Sequence, residues 1–173
     1  MKDYDFLFMG SEKYKTVVIG TQTWMADNLN TNASGSKCPL GQDNNCNTCG
    51  RLYNWKTAMA NKSSSDLDPS GVQGICPSGW HLPSPAEWTK LTNFVSTNAG
   101  TKPDDFGFNV LRCGYANLDN TYPGYNYTGY WWTTTGNSES ATIITNDGTN
   151  NFNSSSIKSA HYISVRCVKD NNE

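Results

Sequence analysis

Between Thr16 and Ala26 the chain reads TVVIGTQTWMA: a β-branched run, a Gly20-Thr21 pair, then a return that sets Trp24 on one face. That pattern predicts a hairpin. Residues 27 to 50, DNLNTNASGSKCPLGQDNNCNTCG, carry no hydrophobic period and predict a long irregular stretch that needs tethering. NWKTAMA, 54–60, predicts a short helix with Trp55, Ala58 and Met59 toward a core, and KSSSDLDPSGVQG then leads to Cys76 as a further loop.

A stronger signal follows. Ser84-Pro85-Ala86-Glu87 places an N-cap hydroxyl, a proline at the first helical position and a carboxylate three residues after the serine. Each satisfies or avoids an orphan backbone donor. Trp88, Leu91 and Val95 recur at helical spacing with Phe94 beside them, so a helix with one apolar face is predicted from Ser84 to about Asn98, with Gly100 as its C′ residue.

In the second half, FGFNVLRCGY (106–115) reads as a strand and NLDNTYPGYNYTG as a loop. Tyr130 to Thr135, YWWTTT, reads as a strong strand with Tyr130 and Trp132 on one face and Trp131 and Thr133 on the other. ATIIT is a further strand, Asn146-Asp147-Gly148 a turn, and the Asn/Ser stretch after it has no pattern. HYISVRCVK (161–169) reads as one closing strand with Tyr162, Ser164 and Arg166 alternating. Helices in front and short antiparallel strands behind predict an α+β fold class in one domain, residues 1–173 with its core over about 16–170.

Composition narrows the function. The chain has 173 residues, a net charge of −2 and 16% charged residues, which leaves no electrostatic footprint for nucleic acid or an anionic membrane. Its polarity comes from 21 Asn, 18 Thr and 17 Ser, beside 12% aromatics, a mixture that suits an extracellular, loop-rich domain. Six cysteines at irregular spacing with two histidines favour disulfides over metal. The CNTC at Cys46–Cys49 has no second CxxC to complete a zinc site, and its Asn-rich loop is not a redox strand-to-helix junction. FLFM (6–9) is too short for a signal-peptide core and no apolar run could span a bilayer, so an exported domain would have its targeting segment outside this chain.

Five segments in order, IGTQTWMADNLNT, GRLYNWKTAMA, CPSGWHLPSPAEW, GYWWTTT and SVRCVKD, resemble the Fibrobacter succinogenes major paralogous domain over roughly residues 16 to 170. LPSPAEW and the terminal strand also resemble the formylglycine-generating-enzyme branch of the C-type-lectin-like fold. The resemblance implies that fold, in exported bacterial proteins, with a loop-rich region carrying the ligand surface. It also implies that WHLP is a strand pairing with the closing strand, which would bring Cys76 beside Cys167, while Trp80 and Trp88 plug the core beneath. A pair spaced like Cys38 and Cys46 ahead of GRLY is common in the family. Cys49 and Cys113 are then left as an extra bridge of this protein's own.

No catalytic constellation is legible. The resemblance to formylglycine-generating enzymes is confined to scaffold segments and places no catalytic cysteine pair, so an enzyme of that type is the least favoured reading. His81 reads as a satisfied structural histidine within WHLP, and His161 as an exposed residue opening the last strand. Glu87 belongs to the capping box, and Asp66, Asp68, Asp104 and Asp105 sit beside prolines as turn formers do. No cofactor is expected. QDNNCN (42–47) and ITNDG (144–148) leave room for at most a structural calcium ion, since no sugar-type calcium triplet occurs.

What remains is surface. Five of nine tyrosines fall in YANLDNTYPGYNYTGY, 115–130, interleaved with Asn, Asp, Gly and Thr. That is the alphabet of antibody-like binding loops, whose flat rings give contact area at small entropic cost. The expected ligand-binding residues are Tyr115, Asn117, Asp119, Tyr122, Tyr125, Tyr127, Tyr130, Trp131, Asn137, Ser138, Asn151 and Asn153. The expected function is a non-catalytic, adhesion-type recognition module of an extracellular or cell-surface bacterial protein, with a protein or glycan ligand. Two alternatives stand beside it. One is a variable protein diversified by a retroelement: such proteins also use the C-type-lectin-like fold and some end in a motif similar to SVRCV, and Tyr115, Asn117, Asp119, Tyr122, Tyr125, Tyr127, Asn137, Ser138, Asn150, Asn151 and Asn153 are of the kind their mutated Asn codons yield. The other is a purely structural spacer.

Overall fold

The computed structural model describes residues 3–98 and 102–171. Its first sheet starts with β1 (Asp5–Met9), β2 (Glu12–Ile19) and β3 (Gln22–Met25), an antiparallel meander in which Val17 faces Trp24. A 3₁₀ turn (Pro39–Gly41), α1 (Asp43–Cys49), β4 (Leu52–Tyr53) and α2 (Trp55–Ala58) follow. Next come β5 (Trp80–His81) and α3 (Pro85–Thr97). A second 3₁₀ turn (Pro103–Phe106) leads by a long loop to β6 (Gly129–Gly136), β7 (Ser140–Asn146) and β8 (Asn153–Lys158). The short β9 (Ile163–Ser164) and β10 (Val168–Lys169) close the chain.

Two five-stranded sheets result, in orders β1-β2-β3-β10-β5 and β4-β9-β6-β7-β8. The tail belongs to both. β9 runs parallel to β6 and antiparallel to β4, whereas β10 lies between β3 and β5, pairing Val168 with both Trp24 and His81. The expected single strand over 161–169 is therefore two strands. Val165 to Cys167 carry the chain from one sheet to the other, and Arg166 is buried in the crossing. The expected pairing of WHLP with the closing strand is present.

α3 forms as its sequence dictates. Ser84 accepts from the Glu87 amide, and the Glu87 carboxylate accepts from Ser84 N at 3.0 Å. Trp88, Leu91 and Val95 are buried, while Phe94 is half exposed against Phe106; Gly100 lies outside the described residues. Asn54 caps α2 by accepting from Thr57 N at 2.9 Å.

Three expectations are corrected. Residues 106–115 form no strand, because Asn109 takes a left-handed φ of 58° and the carbonyls of Phe108 and Asn109 turn inward to Arg166. The irregular 27–50 stretch contains α1, held by disulfides in place of an apolar stripe. The patternless Asn/Ser stretch contains β8, an edge strand with hardly a buried side chain and so no hydrophobic period to read.

Trp131 and Trp132, adjacent on β6, enter different cores. Trp132 packs with Tyr53, Trp55, Met59, Ile143 and Ile163. Trp131 joins Trp24, Trp88, Phe108 and Phe152. In the second cluster Trp24 and Trp88 stand 4.6 Å apart, and Phe108 meets Trp131 edge-on at 5.7 Å. Such pairs add roughly 0.5–1.5 kcal/mol each beyond the area they bury. Three disulfides join Cys38 to Cys46, Cys49 to Cys113 and Cys76 to Cys167.

Candidate functional site

The Tyr/Asn-rich loop is tied at its root. Cys113 is bonded to Cys49 at the end of α1, and Gly114 N donates to Thr128 O at 2.9 Å. Gly114 has a left-handed φ of 63°, and a Cβ there would stand 2.5 Å from Pro123 O, so the two limbs can approach only through a glycine. Tyr125 bridges to Cys113 across the same two limbs. Farther out, Tyr115 N donates to Pro123 O, and Ala116 exchanges backbone bonds with Tyr162. The tip is an Asx turn. Asp119 Oδ1 accepts from Thr121 Oγ1 at 2.7 Å and Thr121 N at 3.0 Å, which holds its carboxyl below the usual range. Asn117 Nδ2 donates to Thr121 Oγ1.

Side chains of this loop meet those of the second sheet. The Tyr115 ring meets Tyr130 edge-on at 4.9 Å and stacks on His161 at 5.7 Å, with 16° between planes. Burial, and after it the positive charge of Lys158, lowers the His161 pKa, so the stacked imidazole is neutral at physiological pH. By register Tyr130, Thr145 and Asn153 form one cross-strand row on the same face as Trp132. Lys37 Nζ lies 4.3 Å over the Tyr162 ring and donates to Asn120 Oδ1 at 2.6 Å. Tyr122 sets its hydroxyl beside Gly41, and Tyr127 and Leu118 stand free, 76% and 59% exposed.

Not every expected residue belongs here. Trp131 is 0% exposed and donates from Nε1 to Asn28 Oδ1 at 2.9 Å, so it is a core side chain and no ligand contact; its alternation on β6 turns it inward. Asn137 and Ser138 lie in the β6–β7 turn, where Asn137 Oδ1 accepts from Glu139 N and Ser140 N. Asn151 lies in the β7–β8 turn, its carbonyl accepting from Asn146 Nδ2. These turns cap opposite ends of β7, about 20 Å apart at the usual strand rise. The sequence placed all of them in one set; the sheet separates them. It also draws in Lys37, His161 and Tyr162, which the sequence did not mark. His161 is half-buried, a correction to its expected exposure, because Tyr115 covers it.

A second cluster surrounds His81 beside a cleft of about 870 Å³ lined by Pro69, Gln73, Trp80 and Asp170. Both ring nitrogens are engaged, Nε2 2.5 Å from Glu87 Oε1 and Nδ1 2.6 Å from Asp170 Oδ1. Glu87 Oε2 accepts from Ser70 N and Ser84 N. An imidazole bracketed in this way fixes the end of β10 to the start of α3 and leaves no nitrogen for a substrate. All six cysteines are paired, and among the described residues no three His, Cys, Asp or Glu side chains are grouped to hold a metal ion. ITNDG is a turn, with Asn146 Oδ1 accepting from Gly148 N and Asp147 Oδ1 from Thr149 N. No helix among the described residues is long and apolar enough to cross a membrane.

No curated protein and no solved structure gives a significant match to the chain. Residues 17–105, just over half of it, match the Fibrobacter succinogenes major domain, and three of the five resembling segments fall inside that span while GYWWTTT and SVRCVKD lie beyond it. That span runs from the end of β2 through β3, α1, β4, α2 and β5 to the capped helix α3, and the chain belongs to the Fibrobacter succinogenes major domain family.

Proposed function

We propose that this chain is a non-catalytic recognition module of an exported bacterial surface protein, with a C-type-lectin-like scaffold that presents the 113–130 loop to a protein or glycan ligand. One observation carries the reading: Tyr115, on a loop fixed by a disulfide and by backbone bonds, packs against Tyr130 and His161 of the second sheet region, and the same loop presents Tyr122 and the mostly exposed Tyr127. Rings held in place lose little entropy on binding, so contact area converts efficiently to affinity. Three disulfides support an oxidising, extracellular setting. The test is a glycan array and a pull-down from cells neighbouring the producer, with wild type beside the triple variant Tyr122→Ala, Tyr125→Ala, Tyr127→Ala. Loss of capture with an unchanged melting temperature supports recognition. Equal behaviour of the two proteins, or no capture by either, favours the spacer reading.

A further inference from the structure

A groove of about 430 Å³ runs between α2 and the β6–β7 turn, apart from the tyrosine loop, and its volume falls in the ordinary range for small-molecule sites, roughly 300–1,000 Å³. Trp55 and Met59 form its buried apolar base. The Trp55 ring is fixed there, because Nε1 donates to Thr133 O at 2.9 Å. Lys56, Lys62, Asn61 and Ser138 line its sides. Two consecutive left-handed residues, Ala60 (φ 49°) and Asn61 (φ 59°), end α2 and turn the chain along this edge. The facing turn is tied down by Ser159 Oγ, which donates to Asn137 O at 2.6 Å.

Charge decides what such a groove accepts. No Asp or Glu lines it. Lys90 pairs with Asp68, Lys13 lies over Phe6 and Lys37 over Tyr162, whereas Lys102, Lys158 and Lys169, on other parts of the surface, share with the two groove lysines the lack of a carboxylate partner among the described residues. Among the described residues Lys56 and Lys62 pair with no carboxylate. Two unpaired ammonium groups on a chain of net charge −2 mark a local preference for anions. Amide and hydroxyl groups around the groove add hydrogen bonds for hydroxyls, and the small exposed part of Trp55 adds an apolar contact.

From this combination we infer that the groove is a subsite for an acidic saccharide, a uronate-type oligomer. Its carboxylates would meet Lys56 and Lys62, its hydroxyls Asn61 and Ser138, and its C–H groups the exposed part of Trp55. The inference is independent of the tyrosine surface, so the two can fail separately. Titration calorimetry of the whole chain at low salt against trimers of galacturonate, mannuronate and glucuronate tests it. At least one trimer is expected to bind. Lys56→Gln/Lys62→Gln should weaken that binding by at least about tenfold, the equivalent of one modest charged contact. The Tyr122/Tyr125/Tyr127 alanine variant should bind as wild type does. The proposal is overturned if no uronate trimer binds the folded wild type, if the lysine variant binds equally, or if a hexaglutamate peptide binds as tightly as the best trimer.

Discussion

Asn28 and Arg166, 138 residues apart, meet in the interior, where Asn28 Oδ1 accepts from Arg166 Nε at 3.1 Å and Nη2 at 2.8 Å. The same oxygen accepts from Trp131 Nε1, and Asn28 Nδ2 donates to Cys49 O and Ser164 Oγ. Arg166 completes its set on the carbonyls of Phe108 and Asn109 and lies 4.3 Å over the Phe108 ring. Burial lowers its pKa to about 9, which still leaves it charged at neutral pH. One amide thus joins the loop after β3, α1, β6 and the tail. Asn28→Ala strips a buried cation of its side-chain acceptor and should cost about 1.5–3 kcal/mol in urea unfolding. Asn28→Asp keeps the acceptor but loses both donated bonds, so its stability should fall between wild type and Asn28→Ala.

Such a hub is invisible in the sequence, where Arg166 reads only as one alternating position of a strand. What is local in chemistry was legible: the cap, proline and carboxylate that start α3, the Gly20 hairpin, the two-faced β6. What depends on distant partners was not. Residues 106–115 have strand-like composition, yet the carbonyls of Phe108 and Asn109 serve Arg166 in place of a neighbouring strand. β8 lacks a buried face, as edge strands can, and α1 is fixed by sulfur. In the candidate site the tyrosines were legible from composition. Their grouping was not, because cross-strand register puts Asn153 in a row with Tyr130 and sends Asn137 to the far end of β7.

The Cys76–Cys167 bridge closes a separation of 91 residues, whereas Cys38–Cys46 closes 8. On the chain-entropy model the long loop is worth about 4–5 kcal/mol and the short one about 2–3 kcal/mol. Replacing each pair by alanines should therefore lower unfolding free energy unequally, the Cys76/Cys167 variant more. Equal losses in denaturant titrations would show that native packing around the sulfurs, and not loop closure, sets their value.

Tyrosines within one loop should divide by role. Tyr127 is mostly exposed, so Tyr127→Ala should move stability by no more than about 0.5 kcal/mol. Tyr115 contacts both Tyr130 and His161, and Tyr115→Ala should cost about 1–2 kcal/mol from two lost ring contacts. Thermal unfolding distinguishes the two variants before any ligand is known.

His81 makes stability depend on pH in a definite direction. Burial is the largest influence on it and lowers its pKa, but hydrogen bonds and charge from Glu87 and then Asp170 outweigh this and hold the value above its ordinary 6.5. Protonated, the ring can donate from both nitrogens to the two carboxylates; neutral, it can donate only one. A folded-state pKa above the unfolded one adds stability that is present in full below 6.5 and is lost as pH rises through the folded value. Urea midpoints should therefore fall as pH is taken upward from 6.5. Asp170 is half exposed, so its share is screened, and Asp170→Asn should cost about 1 kcal/mol at low pH and flatten the decline. His81→Gln should abolish the decline altogether, and a midpoint that still falls in that variant would assign the dependence to another group.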